Sequence, residues 1–228
     1  MATKPQSPPP VSAQNKAIDA LLELLAERRW GDITLPDIAN RAGLSLLELR
    51  SAFPSKGAVL AGFARRIDHD VLGVEAPLDL VDESPRERLF DVIMRRLDAL
   101  APHRAAIRSA RDGLMSDPFA ATAWNKVEVT SAQWMLAAAG IGESGPMGAL
   151  RAQGLALLFA RIVDVWLRDD DPAQSSTLKA LDTQLRNAER VAKAGEALER
   201  MLSPLGRVFE RRKPAEPKHP ADDFMPAA

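Results

Sequence analysis

The stretch TLPDIANRAGLSLLELRSAFPSK, from Thr34 to Lys56, decides the fold of this 228-residue chain. Thr34 is a natural N-cap, and Asp37 follows it at the third helical position, where a carboxylate favours the helix N-terminus. Ser45 and Glu48 form a capping box for the next helix. Gly43 ends the first helix because glycine tolerates the positive φ of a tight turn. Pro54 stops the second helix. The stretch therefore predicts two short helices, at residues 35–42 and 46–53.

Two helices of about eight residues joined by a short Gly-containing turn match a helix-turn-helix. The apolar positions Ile38, Ala39, Leu44 and Leu49 would face a shared core. The second helix could then lie in a DNA major groove with its N-terminal side chains on base edges. The alternative is a pair of small packing helices without any role in DNA binding.

The rest of the chain is also helical in pattern, because apolar residues recur at i, i+3, i+4 and i+7 and no alternating strand-like run occurs. We predict an all-α fold of about nine helices. Besides the two above, the expected helices lie at residues 13–29, 55–72, 85–100, 102–114, 118–139, 147–167 and 177–201.

Composition narrows the function. The chain has 30 Lys+Arg and 31 Asp+Glu, no cysteine and three histidines. A uniformly basic coat, a disulfide, a thiolate metal site and a cysteine nucleophile are therefore excluded. The proline-containing N-terminus lacks a signal-peptide pattern, and no apolar run is long enough to span a membrane, so we expect a cytoplasmic protein.

The residues from Thr34 to Ser45, followed by Leu49 and by Phe53-Pro54-Ser55-Lys56, resemble the N-terminal signature of the TetR family of transcriptional regulators. The resemblance implies a three-helix DNA-binding domain followed by a helical ligand-binding and dimerisation domain. It places the DNA-binding domain at residues 13–58 and the second domain at 59–208. The composition of the two ends, with several prolines and few apolar residues, predicts disordered tails at 1–12 and 209–228. It also implies a ligand-responsive repressor that binds a double-stranded DNA operator as a homodimer.

We predict DNA contacts from the recognition helix and from the starts of the flanking helices. The candidate residues are Thr34, Ser45, Leu46, Leu47, Glu48, Arg50, Ser51 and Lys56. Lys56 is expected to hold a phosphate at the start of the fourth helix, with Thr34 doing the same at the second. The recognition helix departs from the family pattern, since Leu46, Leu47 and Glu48 stand where polar or small residues are usual. Residues 1–72 contain nine basic and eight acidic side chains, which is a weak electrostatic footprint for a DNA-binding domain.

A second, shorter resemblance gives an alternative function. The segment WLRDDDP, residues 166–172, looks like the C-terminal part of the TetR-fold lipid-binding protein of ubiquinone biosynthesis. That resemblance implies a lipid-binding accessory protein without operator binding, and a pocket that favours long apolar ligands.

A small apolar ligand is the expected partner of the second domain. Its large side chains make Phe90, Met94, Trp124, Trp134 and Phe159 candidates to line the pocket. The predicted eighth helix has apolar residues on more faces than one core needs, which indicates a surface buried against a partner. The resemblance implies that this partner is a second copy and that the dimer forms through helices eight and nine.

We predict no enzyme activity, cofactor or metal site. The run Gly140 to Gly145 fits G-x-G-x-x-G by letter, but it follows a helix instead of a strand. The run Asp169 to Asp171 is interpreted as a solvated helix stop, and no nucleophile motif is present.

Overall fold

The structure is a computed structural model that describes residues 12–74, 83–142 and 144–210, with the backbone alone from residue 193 onward. Of the two predicted tails, residues 1–11 and 211–228 lie outside the described residues. The chain divides into two compact units, residues 1–185 and 186–228.

The described residues form nine α-helices and no strand, which confirms the all-α prediction. The helices are α1 (Ala13–Glu27), α2 (Leu35–Ala42), α3 (Leu46–Ala52), α4 (Lys56–Leu72), α5 (Pro85–Leu100), α6 (Arg104–Met115), α7 (Pro118–Ala138), α8 (Gly145–Trp166) and α9 (Ser175–Glu210). No helix among the described residues is long and apolar enough to cross a membrane.

Local signals explain where α2 and α3 begin and end. Thr34 and Asp37 form a reciprocal capping box, as do Ser45 and Glu48. Gly43 ends α2 with φ 64° and ψ 37°, in the left-handed region where a side chain would be strained. The sharp turn between the two helices is therefore encoded within residues 34–48.

The stretch between α1 and α2 forms a 3-10 turn at Trp30–Asp32, called here the Trp30 turn. Trp30 is half-buried and packs against the hydrophobic core. The turn has no side-chain cap of its own, so its stability depends on contacts from elsewhere in the chain.

Helix α4 joins the N-terminal helices to the rest of the first unit. It contacts α1 on one side and α5 and α7 on the other. Seven of its residues are buried, among them Phe63 and Ile67. A displacement of α4 would therefore shift both the N-terminal helices and helices α5 and α7, because packed interiors transmit strain.

The acidic run after α8 organises the start of α9. A carboxylate oxygen of Asp169 accepts hydrogen bonds from the Thr177 amide at 2.8 Å and from its hydroxyl at 2.7 Å. Asp171 accepts from the Ser175 hydroxyl and from the Ala173 amide, the latter at 3.0 Å. These bonds lower the pKa of both carboxyls. Asp169 is buried, so the expectation of a wholly solvated run is wrong for this residue.

Candidate nucleic-acid interface and ligand cavity

Helix α3 presents one face to the core and the other to solvent. Leu49 is 2% exposed, whereas Leu46 is 56% and Leu47 is 76% exposed. Ser45, Glu48, Arg50 and Ser51 are exposed as well. The predicted recognition-helix side chains thus share an accessible surface, which we call the α3 face: Ser45, Leu46, Leu47, Glu48, Arg50 and Ser51.

The acid on the α3 face is turned back onto its own helix. A carboxylate oxygen of Glu48 accepts from the Ser45 amide at 2.7 Å and from its hydroxyl at 2.7 Å. These hydrogen bonds lower the pKa of Glu48, so its charge is held at the α3 N-terminus. An acid near the DNA backbone repels phosphates. Because this carboxylate caps its own helix, the positive end of the α3 dipole partly compensates its charge and weakens that repulsion.

Arg50 and Ser51 differ in how many hydrogen-bond donors they leave free for DNA. The Ser51 hydroxyl donates to the Leu47 carbonyl at 2.8 Å, so its proton is already used within the helix. Within the described part of the chain, Arg50 has no hydrogen bond or ion pair. Its five N–H donors are therefore available to a base edge or a phosphate.

Thr34, the predicted contact at the start of α2, is also engaged in a cap. A carboxylate oxygen of Asp37 accepts from the Thr34 amide at 2.8 Å and from its hydroxyl at 2.6 Å. The hydroxyl oxygen in turn accepts from the Asp37 amide. Thr34 remains exposed, but its hydroxyl proton is directed at Asp37.

Lys56 is placed differently from the expectation of a free phosphate ligand. Its Nζ donates to the carbonyl oxygens of Trp30 at 2.6 Å and Ile33 at 2.7 Å. The same atom lies 4.3 Å from the centroid of the Trp30 ring. Partial burial lowers the pKa of Lys56. The ammonium binds α4 to the Trp30 turn and keeps one N–H for other partners.

Internal ion pairs occupy most of the remaining acids of the N-terminal helices. Arg41 on α2 pairs with Glu27 at 2.7 Å and Glu23 at 3.3 Å on α1, and Arg66 pairs with Asp19 at 2.6 Å. These pairs join the helices, and Lys16 acts electrostatically on Glu48. Among the described residues from α1 to α4, the side chains of Arg29, Arg50 and Arg65 have no hydrogen bond or ion pair. The near-neutral count of charges therefore understates how basic the accessible surface is.

A cavity of about 540 Å³ lies among α1, α4, α5, α6, α7 and α8. Its volume is within the usual range for small-molecule sites. Trp124 and Phe159 line it, as the sequence suggested. Met115 and Leu157 also line it and are 68% and 61% exposed, so the cavity opens to solvent beside them.

Three of the five expected pocket residues lie elsewhere. Phe90 and Met94 pack against the core from another face of α5, whose cavity-lining residues are Arg96 and Leu100. Residue 94 is two positions from residue 96, which places it about 200° around the helix. Trp134 is 54% exposed and lies about 15 Å along α7 from Trp124. Which face of a helix meets the cavity is decided by tertiary packing.

A buried polar cluster stands at one wall of the cavity. Arg96, 2% exposed, forms an ion pair with Asp68 of α4, and Asp68 accepts from the Ser131 hydroxyl of α7 at 2.7 Å. Arg96 also stacks over Phe159 at 5.2 Å. Glu128 of α7 lines the same cavity. Burial raises the pKa of Glu128, with Arg96 lowering it and Asp68 raising it.

Comparisons with known proteins fit this geometry. No family model matches the chain. One curated protein, the HTH-type transcriptional regulator AlkX of Mycobacterium tuberculosis (strain ATCC 25618 / H37Rv), is 37% identical over 67 residues. The match covers 29% of this chain and 32% of AlkX, so the chain spans about a third of that relative's length.

The similarity to solved structures is longer. A TetR transcriptional regulator from Nitrosomonas europaea ATCC 19718 is 24% identical, with a TM-score of 0.62 over 78% of this chain and 99% of that chain. The chain has the TetR fold. A TetR transcriptional regulator from Rhodococcus sp. RHA1 also matches, at 23% identity and a TM-score of 0.51, over 76% of this chain and 96% of the other.

In this TetR-fold chain a direct contact joins the cavity helices to the N-terminal helices, and no sequence pattern predicts it. A Cβ on Gly113 of α6 would lie 2.3 Å from the Cβ of Trp30. The Ser109 hydroxyl of α6 donates to the Arg28 carbonyl at 2.8 Å. Helix α6 lines the cavity through Ala110 and Leu114. The Trp30 turn is thus held between α6 and Lys56.

The polar members of the cavity wall, Arg96 and Glu128, were not predicted from the sequence. The other buried residues of α5 are apolar, and in α7 the buried residues besides Ser131 are apolar, so nothing local distinguishes Arg96 or Glu128 from a solvated charge. A signal existed in the helical phase, because Arg96 falls between Ile93 and Leu97 on the buried side of α5. A charge at a core position needs a partner, and that requirement could have directed attention to the cluster.

Proposed function

We propose that the protein is a DNA-binding transcriptional regulator that recognises its operator through the α3 face. The observation that best supports this is the accessible α3 itself. Its core residue Leu49 is buried, its one acid is tied back to Ser45, and the guanidinium of Arg50 is free. A short helix held in this way can present its N-terminal side chains to the major groove.

The 37% identity with a helix-turn-helix regulator supports the same function. DNA contacts would come from Thr34, Ser45, Leu46, Leu47, Glu48, Arg50, Ser51 and Lys56. Arg50 can pair with guanine O6 and N7, and the two exposed leucines can contact thymine methyl groups. Lys56 would contribute its one remaining N–H to a phosphate. The protein would act in the cytoplasm, and its role would be binding without catalysis.

The regulator would act as a homodimer through α8 and α9. Helix α8 leaves a stripe exposed at Met147, Leu150, Gly154 and Leu157, spaced three and four residues apart on one face. An exposed apolar stripe of this kind is typical of a protein interface. Two linked recognition helices are needed to contact two half-sites one helical turn apart.

A ligand in the cavity would change the regulator's affinity for DNA through α4 and α6. Phe63 of α4 and Ala110 of α6 line the cavity, while Lys56 of α4 and Gly113 of α6 both contact the Trp30 turn. A ligand that binds one arrangement of these helices more tightly would shift the population toward it. By linkage, DNA would change ligand affinity by the same factor.

The test is an electrophoretic mobility shift with DNA from upstream of the protein's own gene, followed by footprinting of the shifted fragment. A shift that survives excess random DNA, with a footprint of two half-sites, is the expected result. The same titration with random DNA alone gives the non-specific affinity. Equal affinity for both DNAs would contradict the proposal.

A lipid-binding accessory protein is the second candidate function, and the exposed apolar side chains of Leu46 and Leu47 favour it. In that case these residues would meet a protein or membrane surface instead of DNA. Leu46→Glu with Leu47→Glu would then abolish vesicle or partner binding, whereas Arg50→Ala would have no effect. Loss of DNA binding in Arg50→Ala, with no binding to vesicles by the unmodified protein, would exclude this candidate.

A further inference from the structure

The wall of the cavity holds two buried polar atoms that no described residue satisfies. They are Oε2 of Glu128 and Nε of Arg96. A buried polar atom without a hydrogen-bond partner is costly, and most such atoms in native proteins are satisfied by protein or by a bound molecule. Both residues line the same cavity, so a molecule bound there could reach either atom.

Glu128 has no ion-pair partner in the cavity lining, although the lining contains three arginines. Arg96 is neutralised by its ion pair with Asp68, and Arg111 by its ion pair with Asp164. Arg161, the remaining lining cation, is exposed to solvent, which screens it. Glu128 is therefore the acid of the lining whose ionised form has no ion-pair partner among the described residues.

The rest of the wall is apolar and partly aromatic. Phe63, Leu100, Trp124 and Phe159 line it beside Glu128. One face of Phe159 is already covered by Arg96, so Trp124 is the larger aromatic surface left to a ligand. Aromatic faces attract cations, and apolar walls favour an extended hydrocarbon body.

We infer that the cavity binds an organic cation, an amine or quaternary ammonium group on an apolar body, with its positive charge paired to the carboxylate of Glu128. This inference rests on the proposed function, since it names the ligand class for the cavity of the proposed regulator. An anionic ligand could accept a hydrogen bond from Nε of Arg96, but it would be repelled by Glu128 and by Asp68, which already neutralises Arg96. A neutral ligand would gain no ion pair with Glu128.

The pH dependence of binding follows from the groups around Glu128. Arg96 of α5 and Asp68 of α4 are the charged groups that act on it, and burial raises its pKa. A permanent cation requires the ionised carboxylate, so its binding displaces a proton from Glu128. Affinity for a quaternary ammonium should therefore rise with pH until Glu128 is ionised without ligand.

The experiment is calorimetric titration of the full chain, without DNA, using three probes of equal chain length below their micellar concentrations. Decyltrimethylammonium is the cation, decan-1-ol the neutral probe and decanoate the anion. We expect decyltrimethylammonium to bind most tightly, and its affinity to rise with the pH of the titration. Glu128→Gln should weaken the cation at least about tenfold and change decan-1-ol little.

Asp98→Asn is the matched control, because Asp98 is an exposed acid of α5 outside the cavity lining. It should leave all three affinities unchanged, and circular dichroism checks that each variant and each probe keeps the helical fold. Equal binding of the cation and the alcohol, an unchanged Glu128→Gln variant, or tightest binding of decanoate would overturn the inference. Because no DNA is present, failure here with an intact operator shift would leave the proposed function standing.

Discussion

The ammonium of Lys56 lies 2.6 Å from the carbonyl oxygen of Trp30 and 4.3 Å from the centroid of its indole ring. Two residues 26 positions apart are thereby joined, and the start of α4 is bound to the turn that precedes α2. The relationship gives Lys56 a structural role beside any contact with phosphate.

Lys56→Ala should therefore lower the stability of the fold as well as DNA affinity. Two hydrogen bonds to carbonyl oxygens and one cation–π contact are lost, which should lower the free energy of unfolding by about 1–3 kcal/mol. Urea unfolding followed by circular dichroism measures the change. Arg65→Ala, at an exposed arginine of α4, is the control and should alter stability by about 0.5 kcal/mol or less. Unchanged stability in Lys56→Ala would contradict the structural role.

Gly113→Ala should disturb the Trp30 turn from the opposite side. The new methyl group would lie 2.3 Å from the Trp30 Cβ, so the turn or α6 must shift, at about 1–3 kcal/mol. Operator affinity should fall together with the stability of the fold, because the Trp30 turn leads directly into α2. Gly57→Ala is the matched control, since a Cβ there meets only the Ser55 hydroxyl oxygen at 3.9 Å.

An unfolding midpoint for Gly113→Ala equal to or above that of the unmodified protein would contradict this packing. Alanine is the better helix former by about 1 kcal/mol. A stabilised Gly113→Ala variant would therefore mean that α6 and Trp30 separate easily. Gly57→Ala shows the size of that propensity effect in a helix where no clash opposes it.

Leu150→Glu should convert the proposed homodimer to a monomer. Leu150 is 64% exposed on the α8 stripe, and a buried carboxylate at a symmetric interface would appear twice and unpaired. Light scattering at micromolar concentration should fall from twice the 24.8 kDa chain mass to that mass. Leu47→Glu, at an even more exposed leucine on the α3 face, should remain dimeric. A monomeric unmodified protein would refute the dimer.

Glu128→Gln should change the pH dependence of stability. Burial raises the pKa of Glu128, so the folded state keeps a proton that the unfolded chain has lost. The stability that wild-type Glu128 contributes is thus present in acid and is lost as pH rises through the raised pKa. The thermal midpoint of Glu128→Gln should exceed that of the unmodified protein at neutral pH, and the difference should shrink toward acid pH.

Asp98→Asn should show no such trend, because Asp98 is exposed. Parallel pH profiles for the unmodified protein and Glu128→Gln would mean that residue 128 ionises as it would in water. That result would also weaken the inferred cation site, since the carboxyl would already be solvated.

The N-terminal helices were predictable because their signals are local. Thr34 with Asp37, Ser45 with Glu48, and Gly43 lie within a few residues of the helix ends that they define. The α3 face followed from the same signals, because Leu49 had to be buried and the other positions then pointed outward.

The cavity and the role of Lys56 were not predictable in this way. Trp124 lines the cavity and Trp134 does not, although both are tryptophans of α7. The difference depends on where α5, α6 and α8 pack, which no short window of sequence encodes. Lys56 had the position expected of a phosphate ligand, but its partner Trp30 lies in a turn that sequence patterns did not predict.

The α3 face is proposed to specify the operator, and the Arg50→Ala variant provides the sharpest test of that role. Equilibrium binding of the unmodified protein, Arg50→Ala and the control Arg29→Ala is measured on the footprinted operator and on random DNA at one salt concentration. We predict that Arg50→Ala weakens the free energy of operator binding by about 1–3 kcal/mol and that of random-DNA binding by much less. Arg29→Ala should weaken the binding free energy by similar amounts on the two DNAs. An Arg50→Ala variant that binds the operator as tightly as the unmodified protein, or that loses equally on both DNAs, would contradict the claim.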